Sequence, residues 1–354
     1  MTTFYVAKSG SNHAAGTKAD PFRTIGRALD ERPGAGDTVI VKAGTYRENV
    51  WIANGGDRDD YFTLRSEVKG GAVIDASGDP ARSGIQIADD FVRVWGFDVR
   101  DSTRSGISAT GVEGLAIVAN EARDNDRCGI YIGRGDDVRI IGNETHHNAS
   151  SGPYSGISVH RPEGDGVILI RDNISHHNMT DKKPGKANTD GHGFILDDGR
   201  ATKYPDQAGY DGRFVVENNL AHHNGGAGFL VFRTDRVRLE DNTAAHNNLD
   251  PTRKAVKGMG EIELRESNNV TVRDNVAVAD DDFAFSIRSP VGHRSKDVVW
   301  DGNFAWNETT GRALIFVSDG EKNPKWALNH FGIDPVLDDH FGFHAAGHDA
   351  GWHW

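Results

Sequence analysis

A short segment recurs down this chain and sets the strongest limit on its fold. Each copy opens with Gly, Ala or Glu and continues with alternating apolar residues. The copies are GIQIADD from Gly84, GISATG from Gly106, GIYIGRG from Gly129, GISVHRP from Gly156, GFILDDG from Gly193, GFLVFRT from Gly228, EIELRES from Glu261, AFSIRSP from Ala284 and ALIFVSD from Ala313. The basic period is roughly 22 to 24 residues, stretched by insertions, and such self-similarity is typical of a solenoid.

Asparagines repeat in the same register. One Asn follows an apolar stretch in each repeat, and a second comes five residues later. The first set is Asn120, Asn143, Asn173, Asn219, Asn242, Asn275 and Asn303, and the second is Asn125, Asn148, Asn178, Asn224, Asn247 and Asp280, with Asn307 one residue early. Because Asn tolerates left-handed backbone and can bond to its copies above and below, these columns predict ladders at turns.

Strand periodicity decides the class of solenoid. Each repeat holds short stretches of period two and no helical stripe, which predicts an all-β fold of coils stacked in parallel as a β-helix. A leucine-rich solenoid would need Leu-x-x-Leu-x-Leu spacing, which is absent. The chain of 354 residues is long for one compact domain, but a solenoid extends one core along an axis, so we predict a single domain.

The two ends differ from the repeats. Residues 1–60 predict an N-terminal cap and first coil, with a short amphipathic helix that begins at Asp20 and Pro21. Coils are expected over 61–318. Residues 319–354 break the period and carry Trp326, Trp352 and Trp354, so we expect an irregular C-terminal cap. Caps of this kind cover sheet edges that would otherwise aggregate.

Charge and cysteine content restrict the partners. A formal net charge of −12 should repel nucleic acid and anionic membranes, so an anionic ligand needs a local basic groove. Cys128 is the sole cysteine, which excludes an intrachain disulfide and a zinc–cysteine site and favours a small buried apolar residue. We expect a monomer.

The sequence restricts the cellular location of the protein less than it restricts the partners. No apolar run approaches membrane-spanning length, and MTTFYVAKSG lacks the charged and apolar regions of a signal peptide. We expect an extracellular protein, exported after removal of a signal or without one. Cytoplasmic residence stays open.

Histidines accompany the second set of asparagines. His147, His177, His223 and His246 each precede a ladder Asn, in THHN, SHHN, AHHN and AAHN. This recurrence favours structural residues of the turns. The alternative is coordination by stacked imidazoles, which we disfavour because zinc sites rarely form open columns.

The segment GISVHRP differs from the other copies in what it exposes. With Ile157 and Val159 directed inward, His160 points outward. The equivalent outward positions of later coils hold Asp197, Phe232, Arg265 and Arg288, and Arg134, Arg161, Asp198, Arg233 and Glu266 stand just beyond. Coils about 4.8 Å apart nearly match the advance of one sugar unit, so this face predicts a polysaccharide site. The alternative is a solvated charged face without function.

Insertions add basic residues near this face, since long loops on a rigid scaffold commonly carry function. They contain Lys182, Lys183, Lys186, Arg200, Lys203, Lys254 and Lys257. We therefore expect a basic groove that binds an anionic polysaccharide, with Arg forks on its carboxylates.

The opening FYVAKSGSNHAAGTKADPFRTIGRAL and GDTVIVKAGTYREN resemble right-handed β-helix proteins, including pectate-lyase-like enzymes. The central part resembles mannuronan C5-epimerases and related alginate lyases. Their Tyr-Gly-Phe/Ile-Asp-Pro-His motif falls on SGISVH, which matches Gly156 and His160, and their Arg-His-Gly-Phe motif falls on GHGF, which matches His192 and Phe194. Departures from these motifs are Ser155 for the Tyr, with Tyr154 beside it, Ser158 for the Asp and Gly191 for the Arg.

The resemblance implies chemistry at C5 of a uronate. The substrate carboxylate must be neutralised, by Arg265 or a bound Ca²⁺, before an imidazole base can remove the proton. Loss of the glycosidic oxygen then gives a lyase, whereas proton return to the other face gives an epimerase. The departures from the motif favour the lyase. The predicted catalytic set is His160, His192, Tyr154, Arg265 and Asp197, and the predicted substrate-binding set is Arg134, Arg161, Asp198, Arg233, Arg288, Lys182, Lys254 and Lys257.

The sequence presents two difficulties for this site and allows two alternative functions. A straight strand would put His160 about 16 Å from His192. For calcium, Asp197, Asp198 and Glu263 are the expected ligands, unless these acids pair with arginines. A glycoside hydrolase would need paired aspartates such as Asp197 with Asp198, or members of the run Asp280-Asp281-Asp282. A non-catalytic polysaccharide-binding fibre or adhesin would need no such pair.

Overall fold

Three parallel sheets form the molecule. The computed structural model describes residues 1–179, 190–202, 209–250, 258–290, 293–318 and 325–331. Strands are numbered in chain order. Sheet 1 contains β1 (Thr3–Val6), β2 (Thr38–Val41), β5 (Phe62–Ser66), β8 (Val92–Trp95), β11 (Glu113–Val118), β14 (Asp136–Ile141), β17 (Val167–Arg171), β20 (Arg213–Glu217), β23 (Val237–Glu240), β26 (Val270–Arg273), β29 (Val298–Asp301) and β32 (Lys325–Ala327).

The other two sheets follow the same order. Sheet 2 contains β4 (Val50–Ile52), β7 (Ile85–Ile87), β10 (Ile107–Thr110), β13 (Ile130–Gly133), β16 (Ile157–His160), β19 (Phe194–Asp197), β22 (Phe229–Phe232), β25 (Gly260–Arg265), β28 (Phe283–Arg288) and β31 (Ile315–Val317). Sheet 3 contains β3 (Gly44–Tyr46), β6 (Ala72–Asp75), β9 (Phe97–Arg100), β12 (Glu121–Arg123), β15 (Glu144–His146), β18 (Ile174–His176), β21 (Leu220–His222), β24 (Thr243–Ala245), β27 (Val276–Ala279), β30 (Phe304–Asn307) and β33 (His330–Phe331).

The predicted repeats are the strands of sheet 2, and the prediction of a parallel β-helix is confirmed. Strands equivalent in successive coils pair in parallel, so each inward residue stacks on its equivalents. Ile157, for example, pairs with Ile130 on one side and Phe194 on the other. Phe194 in turn stacks on Phe229 with ring centroids 4.7 Å apart. Each such buried side chain stabilises the fold by about 1.5 to 3 kcal/mol, which explains the apolar alternation.

The asparagine ladders are also confirmed. Asn143 donates from both its backbone and its side-chain nitrogen to Oδ1 of Asn173, at 2.9 and 3.0 Å. The second ladder deviates at its end, where we predicted Asp280. Asn247 instead donates to the carboxyl group of Glu261, whereas Asp280 binds Nδ1 of His246 at 2.7 Å. Glu261 takes this place because it lies at the start of β25 and its carboxyl group accepts from the backbone and side-chain nitrogens of Asn247.

Both ends differ in detail from the sequence prediction. The helix α1 spans Ile25–Asp30 and begins after Thr24, whose hydroxyl accepts from the backbone N–H of Arg27. It starts later than predicted because Phe22, just after Pro21, is bridged to Val6 in extended form. At the other end, β32 and β33 pair with β29 and β30, so the coils continue into the predicted irregular cap. Residues 319–324 and 332–354 of that cap lie outside the described residues.

Two smaller expectations concern membranes and the cysteine. Within the described residues, no helix has the length and hydropathy that a membrane crossing requires. Cys128 is buried, as predicted, and burial raises the pKa of its thiol to about 12.

Candidate active site on sheet 2

A row of unlike side chains runs up the outer face of sheet 2. Strand register places one residue of each coil in this row, and the pairing is continuous from β13 to β28. The row consists of Gly133, His160, Asp197, Phe232, Arg265 and Arg288. The five side chains of the row are partly exposed, whereas the residues just before them in each strand are buried. The predicted outward set is therefore brought together as one surface, which we call the sheet 2 row.

His160 and Asp197 form a hydrogen-bonded pair within the row. Nδ1 of His160 lies 2.8 Å from Oδ2 of Asp197, and the side chains are 31% and 25% exposed. Because a carboxylate accepts, the bond assigns the proton to Nδ1 and leaves the lone pair of a neutral imidazole on Nε2. The pair is therefore an oriented base with an anchored second nitrogen.

Tyr131 was not among the site residues predicted from the sequence. Gly133 pairs with His160 and has no side chain, and a Cβ there would lie 2.9 Å from the Tyr131 hydroxyl. The hydroxyl thus lies over Gly133, one coil before His160. Burial raises the pKa of Tyr131, with smaller effects of Cys128 and Asp197 in the same direction, so the phenol keeps its proton near neutral pH. A glycine in the row beside the histidine was the signal that could have identified it.

Residues directly after the row have left-handed backbone. They are Arg134 (φ 50), Arg161 (φ 50), Asp198 (φ 53), Arg233 (φ 49) and Glu266 (φ 51). Such φ values are uncommon outside glycine, and they turn the chain away from the sheet at each step. Arg161 lies near the Tyr131 hydroxyl, where its charge lowers the pKa of that phenol against the larger effect of burial. The Arg161 guanidinium therefore acts on Tyr131, the phenol whose hydroxyl lies over Gly133, one coil before His160.

Arg265 and Arg288 share one buried carboxylate. Glu263 is 0% exposed, contacts the guanidinium of Arg265 and accepts from Nη1 of Arg288 at 3.0 Å. The three groups together carry one net positive charge at the surface. Burial lowers the pKa of Arg288, an effect that Glu263 opposes, but a guanidinium stays charged at any physiological pH.

The position of this cluster corrects the role predicted for Arg265. Three coil steps separate Arg265 from His160, which corresponds to about 14 Å at the usual strand spacing. Arg265 is therefore too far away to neutralise the sugar unit on which His160 would act. Its position suits a carboxylate about three sugar units along the chain.

The groove is less basic than the sequence predicts. Arg233 forms a two-pronged ion pair with Glu266 at 3.1 and 3.2 Å, and Arg200 is held by Asp235 at 2.7 Å. These arginines are already neutralised by the protein. The predicted lysines Lys182, Lys183, Lys186, Lys203, Lys254 and Lys257 lie outside the described residues.

Three predicted site residues are placed differently. His192 is 1% exposed and lies beside Ser155, five positions before Asp197 along the strand, so it does not join His160 at one sugar. Asp198 is 1% exposed and accepts from Thr202, so it is not a groove residue. Tyr154 lies before β16, and its ring is covered by the guanidinium of Arg127 at 5.2 Å.

The predicted calcium ligands are not gathered into one site. Asp197 is bonded to His160, Asp198 to Thr202, and Glu263 to two arginines. Two coil steps separate the register positions of Asp197 and Arg265, the residue next but one to Glu263. These three acids therefore do not fit a calcium ion, and we derive no step through one.

A shallow pocket of about 180 Å³ extends the groove toward the N-terminus. It is lined by polar side chains of β7 and β10, by Tyr131 and by the two arginines Arg104 and Arg127. Tyr131 thus borders both the pocket and the pair formed by His160 and Asp197. The groove offers cations on either side of that pair, with Arg104 and Arg127 below it and Arg265 and Arg288 above it.

Comparisons with known proteins were made on sequence and on structure. A family model described as Pel9A-like, right-handed beta helix region, matches residues 4–206. The uncharacterized protein YwoF of Bacillus subtilis (strain 168) is 30% identical over 118 residues. That alignment takes in 33% of this chain and 23% of YwoF, so the chain spans about a quarter of that relative.

Solved structures with similar folds include three carbohydrate-related proteins. XylC in complex with xylose has a TM-score of 0.59 at 12% identity, covering 95% of this chain and 87% of that one. Pectate lyase Pel9A has a TM-score of 0.53 at 15% identity, and the alignment covers 92% of this chain and 79% of that one. The alginate lyase from Paenibacillus sp. str. FPU-7 has a TM-score of 0.50 at 14% identity, and the alignment covers 91% of this chain and 99% of that one. At such identities these likenesses show the fold alone. The family model matches more than half of the 354 residues, and the chain therefore belongs to the Pel9A-like right-handed β-helix family.

Proposed function

We propose that this protein is a polysaccharide lyase that cleaves a uronate-containing anionic polysaccharide, of the alginate or pectate kind, by β-elimination. The observation that carries the proposal is the bond of 2.8 Å between His160 and Asp197 on the exposed face of sheet 2. It provides an oriented base on a surface whose coil spacing suits a sugar chain.

The first step is removal of the proton at C5. Asp197 holds Nδ1–H of His160, so Nε2 accepts the C5 proton, and the resulting imidazolium is stabilised by the Asp197 carboxylate. We assign neutralisation of the substrate carboxylate to Arg161, because it directly follows His160 in the sequence and its charge acts on the Tyr131 phenol. This role replaces the one expected of Arg265, because charge stabilisation requires contact with the reacting sugar.

The second step is loss of the glycosidic oxygen at C4. The electron pair from C5 forms the double bond to C4, the bond from C4 to oxygen breaks, and that oxygen takes a proton. Tyr131 is the proposed donor, because burial raises its pKa and its hydroxyl lies over Gly133 next to His160. Solvent then carries the proton from the imidazolium back to the phenolate.

Family and fold support an activity on polysaccharides. Two solved proteins with this fold are named as a pectate lyase and an alginate lyase. We also propose that the protein is extracellular and works as a monomer, and its net charge of −12 disfavours nucleic acid as a partner. Phe232 and the cationic clusters on either side of His160 would contact further sugar units along the groove.

An epimerase is the alternative that shares the first step. It needs a proton donor on the opposite face of the ring instead of a donor at the glycosidic oxygen. A glycoside hydrolase is less well supported. Asp198 is buried beside the partly exposed Asp197, so these two do not face one bond, and Asp280 is paired with His246.

A panel of uronate polysaccharides tests the proposal. The lyase should produce the ultraviolet absorbance of an unsaturated uronate on at least one polymer, and Asp197→Asn should abolish most of it. New reducing ends without absorbance would indicate a hydrolase instead. Altered C5 stereochemistry by proton NMR without cleavage would indicate an epimerase.

A further inference from the structure

The histidines of sheet 3 form two stacked columns. The inner column is His146, His176 and His222, with ring centroids 4.8 Å apart and planes within 6° of parallel. The outer column is His147, His177 and His223, with centroids 5.3 Å apart. The outer residues have φ between 51 and 53°, which confirms their interpretation as structural residues of the turns. The inner column was not considered in the sequence analysis.

Glutamates accompany the inner column at its first two members. Nε2 of His146 lies 3.1 Å from Glu121, and Nε2 of His176 lies 3.1 Å from Glu144. Glu144 and His146 are two apart on β15, so both point outward, and His176 pairs with His146 from the next coil. The ligand atoms of Glu144, His146 and His176 all lie within 4.8 Å of one another.

We propose that Glu144, His146 and His176 bind a divalent first-row transition metal, for which zinc is a suitable probe, and that the ion joins two successive coils of sheet 3. One carboxylate and two imidazoles are the donor set of many three-ligand zinc and non-haem iron sites, in which water completes the coordination. This donor set disfavours calcium and magnesium, which prefer oxygen ligands alone.

The geometry needs only a small adjustment. Bonds of about 2.0 to 2.1 Å in a tetrahedral site place ligand atoms about 3.3 Å apart. Glu144 and His176 already meet this spacing at 3.1 Å. The two imidazoles must approach each other by about 1.5 Å at most, and rotation of the partly exposed rings about their side-chain bonds can provide this.

The outer column provides hydrogen-bond acceptors for the second ring nitrogen of His146 and His176, which metal-bound histidines usually require. Nδ1 of His146 lies 2.8 Å from Nδ1 of His147, and the same distance joins His176 to His177. When Nε2 binds a metal, the proton must reside on Nδ1, where it needs an acceptor. His147 and His177 are in place to accept these protons and so fix the rings.

The next coil step provides an internal comparison. His222 stacks on His176 at the same 4.8 Å, but the residue in register with Glu144 there is Ile174. The stacked pair of the first step therefore shares its lower coil with a carboxylate, Glu144, whereas the pair of the second step shares its lower coil with the apolar Ile174. A chelating site is expected at the first step only.

A second cluster at the end of the outer column is a weaker candidate. Asp280 binds Nδ1 of His246 at 2.7 Å, whereas Glu308 lies 4.0 Å from Nε2. The two carboxylates approach opposite nitrogens of one ring, so they do not chelate a single ion with it.

Calorimetric titration of the metal-stripped full chain with zinc chloride tests the proposal. One ion per chain should bind with a dissociation constant in the micromolar range or below, and magnesium should not compete. His146→Ala should lower the affinity at least 100-fold, and Glu144→Gln at least tenfold. The matched control His222→Ala removes an equally stacked ring and should bind zinc like the wild type.

Two further measurements separate coordination from a loss of structure. Zinc should raise the unfolding temperature of the wild type but not that of Glu144→Gln, whose exposed side chain is not needed for folding. Nitrogen-15 NMR should show His146 changing from an Nε2–H to an Nδ1–H tautomer on zinc addition, and His147→Ala should weaken binding about 10- to 100-fold. Unchanged zinc binding in His146→Ala, or an equal loss in His222→Ala, would overturn the proposal.

Discussion

The outer faces of sheets 2 and 3 use the same stacking geometry in opposite ways. On sheet 3, imidazoles repeat at one position through three coils, and Nε2 of His176 is bonded to Glu144. In the sheet 2 row the residue type changes at each coil from Gly133 to Arg265 and repeats at the last step, from Arg265 to Arg288. His160 is fixed there through Nδ1, and among the described residues its Nε2 has no hydrogen-bond partner.

The difference shows how function can be recognised in a solenoid. A repeated polar residue satisfies its hydrogen bonds with its own copies, as the asparagine ladders do. A row of unlike residues cannot do so, and a polar atom such as Nε2 of His160 remains available to solvent or ligand. The predictions below test this distinction.

The largest effect is expected at the acid that orients His160. Asp197→Asn keeps the shape but can donate to Nδ1 of the imidazole, which would move the proton to Nε2 and remove the base. Turnover should fall by about 10² to 10⁴, as with other residues that orient a catalytic histidine. Initial rates on the best polymer of the panel measure it.

The control for Asp197 is its neighbour in sequence. Asp198→Asn keeps an acceptor for Thr202 and lies outside the sheet 2 row, so turnover should change less than threefold. Equal losses of turnover in Asp197→Asn and Asp198→Asn would mean that the sheet 2 row is not the catalytic surface.

A ladder residue should affect stability instead of turnover. Asn178 accepts from the backbone and side-chain nitrogens of Asn148 and donates to Asn224, all within the buried ladder. Asn178→Ala removes the acceptor of two buried nitrogens of Asn148 and a donor to Asn224, at about 1 to 3 kcal/mol for each lost partner, so we expect a loss of about 3 to 5 kcal/mol. Denaturant unfolding measures it. His177→Ala beside it should cost about 1 kcal/mol or less, and a similar loss in both would contradict the account.

Arg265 and Arg288 should affect binding more than turnover. Removing them alone would leave Glu263 buried and uncompensated, which costs about 3 to 5 kcal/mol, so the test variant combines Arg265→Ala, Arg288→Ala and Glu263→Gln. KM should rise about tenfold with kcat nearly unchanged, because the cluster lies about three coils from His160. High salt should shrink the difference. A fall in kcat as large as the rise in KM would mean that the cluster contacts the reacting sugar, which would contradict its assignment to a distant sugar unit.

The last of these predictions concerns how stability depends on pH at the end of the second ladder. Burial raises the pKa of Glu261 to about 8 against the hydrogen bonds from Asn247, and His246 and Asp280 lie nearby. The native state therefore binds a proton that the unfolded state has lost, so stability should fall as pH rises from about 4.5 to 8, by at most about 1.4 kcal/mol per pH unit. Glu261→Gln should remove this part of the slope in unfolding midpoints measured across that range. An unchanged slope would mean that Glu261 ionises normally.

Periodicity carried most of the fold prediction. Gly156, Gly193 and Gly228 mark strands that pair in register, and Asn143 with Asn173 marks a ladder, because inward packing and turn geometry leave traces at fixed spacing. The prediction of Asp280 at the end of the second ladder was wrong, because the residue that bonds Asn247 there, Glu261, belongs to a strand and not to the turn.

The site was predicted only in part, because contacts across coils depend on side-chain direction. Register correctly joined His160 to Asp197. It could not show that Tyr131 lies over Gly133, or that Glu263 is enclosed by two arginines. Matching a family motif was misleading for His192, since a shared residue pattern does not fix which part of the strand faces the groove.

The most direct test compares one histidine from each face. Turnover of His160→Ala and His176→Ala should be measured on the same polymer, with unfolding temperatures as a check on folding. The account predicts that His160→Ala loses about 10² to 10⁴ in turnover at nearly unchanged stability, while His176→Ala retains activity within about threefold. Near-full activity of a folded His160→Ala would contradict the assignment of His160 as the catalytic base.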